Sequence, residues 1–374
     1  MKAKLLLMSL FWLLILSCDK QPVKGDYTIW NLDPTSARKM NLSQLVDSIS
    51  LVPLETNDTC LIKRIYSITY TNDKFYINNN QTDIQVYDNT GNFLYGTKEL
   101  LGVGPNDYKS VVSFRVLEND TIEIFDAISY EMRYFVYPDG FVSSYKIPKD
   151  ILPAYQYAWL NKDTCVFSGG ATENPTLKIY SKSRNKIIKK IEDKQKNQFV
   201  KTSNTLYHVN DRLYFSPSYP SNELYVLNDR LNKELILQLD FGQYNFSMKN
   251  LPKDLDAKAY SDYIFTHSEY AYPYSKYVLG DLFISYFQFD GNLYVAYMNK
   301  ANGKNGILKN EIGSYSQFMI PHYVQEDKFY YASEPGYLPY LVDSTLMNRA
   351  EIDKMKHVGE MDNPIIVIYK LKNK

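Results

Sequence analysis

The sequence predicts an all-β fold, a six-bladed β-propeller with small helical insertions, its ring closed between N- and C-terminal strands. Three observations lead there. A strand-rich unit recurs at intervals of roughly 45 residues, the period of propeller blades rather than of a sandwich or barrel. Aromatic residues make up 15% of the 374-residue chain, including 35 Tyr, and Tyr and Phe favour pleated, half-buried surfaces. One strand-like segment stands before the first unit, and another ends the chain with no unit after it.

The chain opens on an export signal. Lys2 and Lys4 precede the apolar run LLLMSLFWLLIL, residues 5–16. About a dozen apolar residues suit a signal-peptide core and fall short of the roughly 18–20 that span a bilayer. The run ends in Ile15-Leu16-Ser17-Cys18. This resembles the lipobox of bacterial lipoproteins, with an aliphatic residue, then a small one, then the cysteine. The resemblance implies a diacylglycerol on the Cys18 thiol, cleavage before it and acylation of the new N-terminus, more than the two signals that stable anchoring takes. Residues 1–17 are expected to be signal peptide. Residues 18–45 are expected to be a lipid-anchored tether, because they are polar, carry Pro22, Gly25 and Pro34, and lack periodicity. The propeller is expected over residues 46–374.

The clearest unit is KFYINNNQTDIQVYDNTGNFLYGT, residues 74–97. It reads as a strand, a polar turn, a strand with Ile84 and Val86 in alternation, the turn DNTGN, and a strand around Phe93. Asn, Asp and Gly tolerate the positive φ that tight hairpins require. The same grammar restarts at Thr121, Thr164, Arg212, Tyr286 and Lys328. A longer gap separates the fourth and fifth units. Six units point to six blades; the last two are loose enough to leave five or seven open. SISLVPLET, residues 48–56, and NPIIVIYKLK, residues 363–372, then pair so that no edge stays exposed. Helical spacing appears at Leu338, Leu341, Val342, Thr345, Leu346 and Arg349, running on toward Met355, and a short helix is expected over residues 254–263.

Residues 75–108, ending in GVGPNDY, look like an NHL-type propeller repeat with its Gly-rich inter-blade loop. More closely, LVPLET (residues 51–56), GVGPNDY (102–108) and DNPIIVIYKLK (362–372) resemble the six-bladed β-propeller lipoproteins of Bacteroidetes. That resemblance covers residues 45–374 and implies fold and export. It carries no established activity and no catalytic residues to map.

The chemistry-bearing motifs are weak. GVGPNDY lacks the GK[ST] ending and the following helix of a phosphate cradle, so it reads as a turn between blades. Asp88, Asp139 and Asp229 lack the dense oxygen alternation of a calcium loop and read as hairpin turns. His208, His267, His322 and His357 have no metal-ligand spacing. Cys60 and Cys165 read as two buried thiols, although the compartment permits a disulfide. With no nucleophile elbow or Ser-His-Asp order, no catalytic residue, metal or cofactor is expected.

Net charge is zero and no long basic run exists, so a nucleic-acid partner is excluded. The expected function is non-enzymatic: a binding or scaffold propeller for a protein, peptide or glycan, held by its Cys18 lipid to the cell envelope at the outer membrane. The alternative is a propeller hydrolase or lyase acting on polysaccharide, its carboxylates drawn from different blades. Acidic groups clustered at the channel mouth would favour the enzyme, and an aromatic uncharged face would favour binding. The binding candidates are His267, Tyr270, Tyr272 and Tyr274, in the Tyr-rich insertion before the fifth unit, because loops on a rigid scaffold carry function.

Overall fold

The computed structural model describes residues 27–169, 177–192, 205–217, 220–247, 252, 257–310 and 317–372. Six small antiparallel sheets stand in a ring as the blades of a propeller: residues 65–96, 113–146, 154–191, 206–240, 272–310 and 323–371. In each blade the first strand is innermost. The sixth blade has only three strands of its own, Tyr323–Gln325, Lys328–Ser333 and Ile365–Leu371, and takes its fourth, Val46–Pro53, from the N-terminal part of the chain.

The repeat seen in the sequence is real but phased one strand late. The unit at Lys74 comprises Lys74–Asn79, Asp83–Asp88 and Phe93–Gly96, and the innermost strand Ile65–Thr71 precedes it. The hairpin between Ile65–Thr71 and Lys74–Asn79 turns on Asn72 and Asp73, both with φ above 50°. Asn210 and Asp211 do the same in blade 4, residues whose short polar side chains tolerate this region.

Closure follows the expected pairing. Ile365–Leu371 runs antiparallel to Val46–Pro53, with Ile365 opposite Pro53 and Val367 opposite Leu51. The outer edge of this last strand is covered. Helix Arg349–Lys356, capped by Asn348, sets Glu351 to accept from the Leu51 N–H (2.6 Å) and Lys354 to donate to the Leu51 carbonyl (2.8 Å). Two side chains thus stand in for the missing neighbouring strand. Asn363 holds the start of the closing strand, donating to the carbonyls of Glu55 (2.7 Å) and Cys60 (2.8 Å) and accepting from the Ile62 N–H (2.9 Å). Gly91, at φ 96°, lies against Pro53, where any Cβ would sit 2.0 Å from the carbonyl oxygen.

Residues 28–45, for which the sequence suggests a tether, pack along the outside of the ring. Thr28–Asn31 adds a fifth, parallel strand to blade 4, and Arg38–Lys39 one to blade 5. Trp30, Leu32, Met40, Leu42 and Leu45 are buried there. Strands of four and two residues are too short to show periodicity, which is why the stretch reads as irregular. Cys18 and the signal segment lie outside the described residues.

The helical stretch after residue 338 is broken into Leu338–Leu341, a 3-10 turn Ser344–Leu346 and Arg349–Lys356. Asp343 and Asn348 each cap a new start. The earlier helix forms at Ala257–Thr266, slightly later than its spacing suggests. Ten tyrosines, Tyr76 to Tyr369, are among the largest fully buried side chains, so a large share of the aromatic residues serves interior packing. Cys60 and Cys165 are buried and unpaired, and burial pushes both thiols up. GVGPNDY is an inter-blade turn wound round Asp107, which accepts from the Gly104 N–H at 2.8 Å. A Cβ on Gly102 or Gly104 would collide with that carboxylate.

Candidate functional site

The innermost strand of a blade has no partner on its axial side, so a propeller places strand edges and their flanking side chains around a central channel. Here the channel holds a cavity of about 380 Å³ along the innermost strands of blades 1, 2, 3, 4 and 6. Its lining is aromatic, amide and hydroxyl: Tyr66, Tyr155, Gln156, Trp159, Thr205 and Tyr323 are representative. Among the described residues of the lining, Arg115 is the only charged side chain and His208 the only imidazole.

At one end, where the innermost strands begin, Gln156 links blades 3 and 4. Its side-chain amide donates to the Leu206 carbonyl (2.6 Å) and accepts from the Leu206 N–H (3.0 Å), completing an open strand edge. Thr205 donates to Gln156 (3.1 Å) and lies 3.0 Å from the Ser168 hydroxyl. Tyr155 is 42% exposed at the rim, and the Arg64 guanidinium lies 4.9 Å from the Tyr66 ring centre.

Toward the other end, Arg115 donates to both oxygens of Glu123 (2.8 and 3.1 Å) and lies over the Trp159 ring at 4.7 Å. Trp159 Nε1 donates to the same carboxylate at 2.8 Å. Glu123 is fully buried, one strand behind the channel wall, so the arginine's charge is compensated by a bidentate pair. His208 Nε2 faces the Trp159 carbonyl at 3.1 Å. A carbonyl only accepts, so Nε2 carries the proton and Nδ1 keeps its lone pair. Burial holds this imidazole below its ordinary pKa, hence neutral at pH 7.

The Tyr-rich insertion divides differently. Tyr263, Tyr270 and Tyr272 meet around Phe246, whose ring centre lies 6.5, 5.9 and 4.9 Å from theirs. His267 stacks on Tyr263 at 3.8 Å. Tyr272, however, is fully buried and donates to the His267 carbonyl at 2.9 Å; as a ligand contact it is replaced by a packing role. Tyr274 lies apart, where the pairing of Tyr272–Leu279 slips a register, and donates to Gln288. Asp88 and Asp139 lie at hairpin turns, and Asp88 accepts from the Thr90 and Asn92 N–H groups (2.8 and 2.9 Å). Among the described residues no three His, Cys, Asp or Glu side chains converge as a metal group, and no helix is long and apolar enough to cross a membrane.

Lys276 is one of several buried charged side chains outside the channel lining. Lys276, fully buried, donates to the Ser221 carbonyl at 2.7 Å, and desolvation holds its ammonium down at about 7 against the usual 10.5. That difference corresponds to about 5 kcal/mol against the charged form, and losing the bond to Ser221 returns about 1–3 kcal/mol. Lys276→Met is therefore expected to stabilise the fold by about 2 kcal/mol at pH 7. Below pH 7 the lysine is charged in both states and the gain is constant; from pH 7 to 10.5 the folded lysine is neutral, and the gain fades. Urea unfolding of both proteins across this range checks it, and a variant no more stable than the parent contradicts it.

Two solved structures share the fold. One is a putative exported protein of Bacteroides fragilis NCTC 9343, 15% identical, covering 92% of this chain and 100% of that one at a TM-score of 0.68. The other, a DUF4221 member from Bacteroides vulgatus ATCC 8482, is 13% identical and covers 87% and 98% at 0.52. At these identities the likeness concerns the fold alone. No curated protein matches the chain. The family model that does match spans residues 28–370, from the first outer strand to the closing one, and the chain therefore belongs to the family described as a domain of unknown function, DUF4934.

Proposed function

We propose that this protein is an exported, NHL-like propeller lipoprotein, anchored through Cys18 at the outer membrane, that binds a ligand in the mouth of its channel without transforming it. The observation that carries the reading is the channel lining: aromatic rings, amides and hydroxyls, with one arginine already neutralised by Glu123 and no carboxylate among the described residues of the wall. Glycan or polysaccharide cleavage by acid–base chemistry uses paired carboxylates flanking the bond, and the described residues of this wall include none. Large aromatic faces beside fixed polar groups suit recognition. The insertion that carries His267 and Tyr270 connects the outermost strand of blade 4 to the innermost strand of blade 5, at the end of the ring where Tyr155 sits, and extends the same face.

Tyr66→Ala and Tyr155→Ala test the mouth. Each is expected to weaken capture on a panel of immobilised glycans and peptides by about 2 kcal/mol where the ring is an anchor. Thermal unfolding should change little, because neither side chain is fully buried. Capture unaffected by both substitutions contradicts the assignment.

A further inference from the structure

We infer that the ligand of the channel is an uncharged saccharide chain, with a hydroxyl donated to His208 Nδ1; this rests on the channel being the binding site. Three features of the wall select the class.

The first is charge. A cationic ligand needs a carboxylate, and the described residues of the lining include none. An anionic ligand needs an available cation in the wall, but Arg115 is committed in bidentate geometry to a carboxylate that is itself fully buried, and the Arg64 guanidinium lies at the rim, over the Tyr66 ring. Pulling the Arg115 guanidinium away would leave the buried Glu123 carboxylate with neutral donors only, the Trp159 N–H among them, and no opposite charge. A peptide terminus carries such a charge, and so do uronic acids and sulfated sugars. A neutral chain does not.

The second is the balance of donors and acceptors. His208 is exposed to the channel, and its tautomer is fixed by the Trp159 carbonyl. Its Nδ1 is an acceptor without a hydrogen as long as the ring is neutral, and it calls for a ligand that donates. Farther along, the Thr205 and Ser168 hydroxyls and the Gln156 amide are fixed polar groups of the neutral kind that hydroxyls pair with. The third is shape. About 380 Å³ lies at the small end of ligand pockets, and Tyr66, Tyr155 and Tyr323 supply flat faces for the C–H side of a sugar ring.

The test uses the mature full-length protein and three probe sets: neutral hexasaccharides (gluco-, manno- and xylo-oligomers), charged chains (oligogalacturonate and heparin hexasaccharide) and a hexapeptide library. Calorimetric titration at low and high salt is expected to find binding to at least one neutral probe, with an affinity that changes less than about two-fold with salt. Affinity should hold through neutral pH and fall once the medium is acidified past the ordinary imidazole range. His208→Leu should weaken the neutral probe at least about ten-fold, the loss expected of an unpaired hydroxyl, and His208→Asn, which restores an acceptor, should recover most of it. Tyr155-sensitive binding of a charged chain or a peptide, falling with salt, overturns the saccharide class and leaves the channel site standing. His208→Leu with unchanged affinity for a bound neutral probe overturns the hydroxyl contact. Binding that no probe shows, or that Tyr155→Ala does not affect, overturns both the class and the site.

Discussion

A chain that begins at residue 57, and so lacks all three N-terminal strands, is expected to lose its cooperative unfolding transition and to aggregate. The loss of Val46–Pro53 strips blade 6 of its outermost strand and bares the edge of Ile365–Leu371 along seven residues. It also removes Val46, Ile49 and Leu51 from the core, and unpairs Glu351 and Lys354 from Leu51. Each buried aliphatic contributes roughly 1.5–3 kcal/mol, so the sum approaches the whole stability of a domain, about 5–15 kcal/mol. A chain that begins at residue 46 keeps the closing strand and loses only the outer strap with Trp30, Leu32, Met40, Leu42 and Leu45. That protein is expected to unfold cooperatively but to be less stable by on the order of 5 kcal/mol. Circular dichroism during heating separates the two. If the shorter chain melts as sharply and as high as the longer one, the closing strand is not what holds the ring.

Tyr272→Ala is expected to cost about 3–5 kcal/mol of stability, the range for emptying a large buried aromatic site. The ring is fully buried against Phe246, and its hydroxyl donates to the His267 carbonyl, so the substitution leaves a void and leaves that carbonyl only the longer bond from the Tyr270 N–H. Tyr270→Ala, on the half-buried neighbour, should cost less than about 1 kcal/mol. Chemical denaturation measures both. Equal and small losses would return Tyr272 to the surface and to the list of ligand contacts.

What could be read from residues alone followed the strength of the local pattern. The hairpins announced themselves through Asn, Asp and Gly at turns, and GVGPNDY through glycines that only a tight inter-blade turn explains. The closing strands were legible because LVPLET and NPIIVIYKLK are long and apolar. The innermost strands were missed: Ser113–Val116 and Leu206–Val209 have four residues each, too few for alternation to stand out. The channel site was missed with them. A partial signal existed in AYQYAW, where Tyr155, Tyr157 and Trp159 alternate one strand before the unit at Thr164. The pairing of Arg115 with Glu123 beneath Trp159 joins two blades, and no spacing in the chain announces it. The Tyr-rich insertion drew attention for its length, yet its most regular part proved to be the innermost strand Tyr272–Leu279 of blade 5, whose tyrosines serve largely as core.

The function proposed for the channel is binding without chemistry. The most direct measurement incubates the protein with whichever panel member it retains through Tyr155, elutes that ligand and weighs it by mass spectrometry. Recovery of the ligand with its mass unchanged, in an amount that saturates at one per protein, is the predicted result. Shortened chains, new reducing ends or unsaturated products that accumulate beyond one per protein would contradict it.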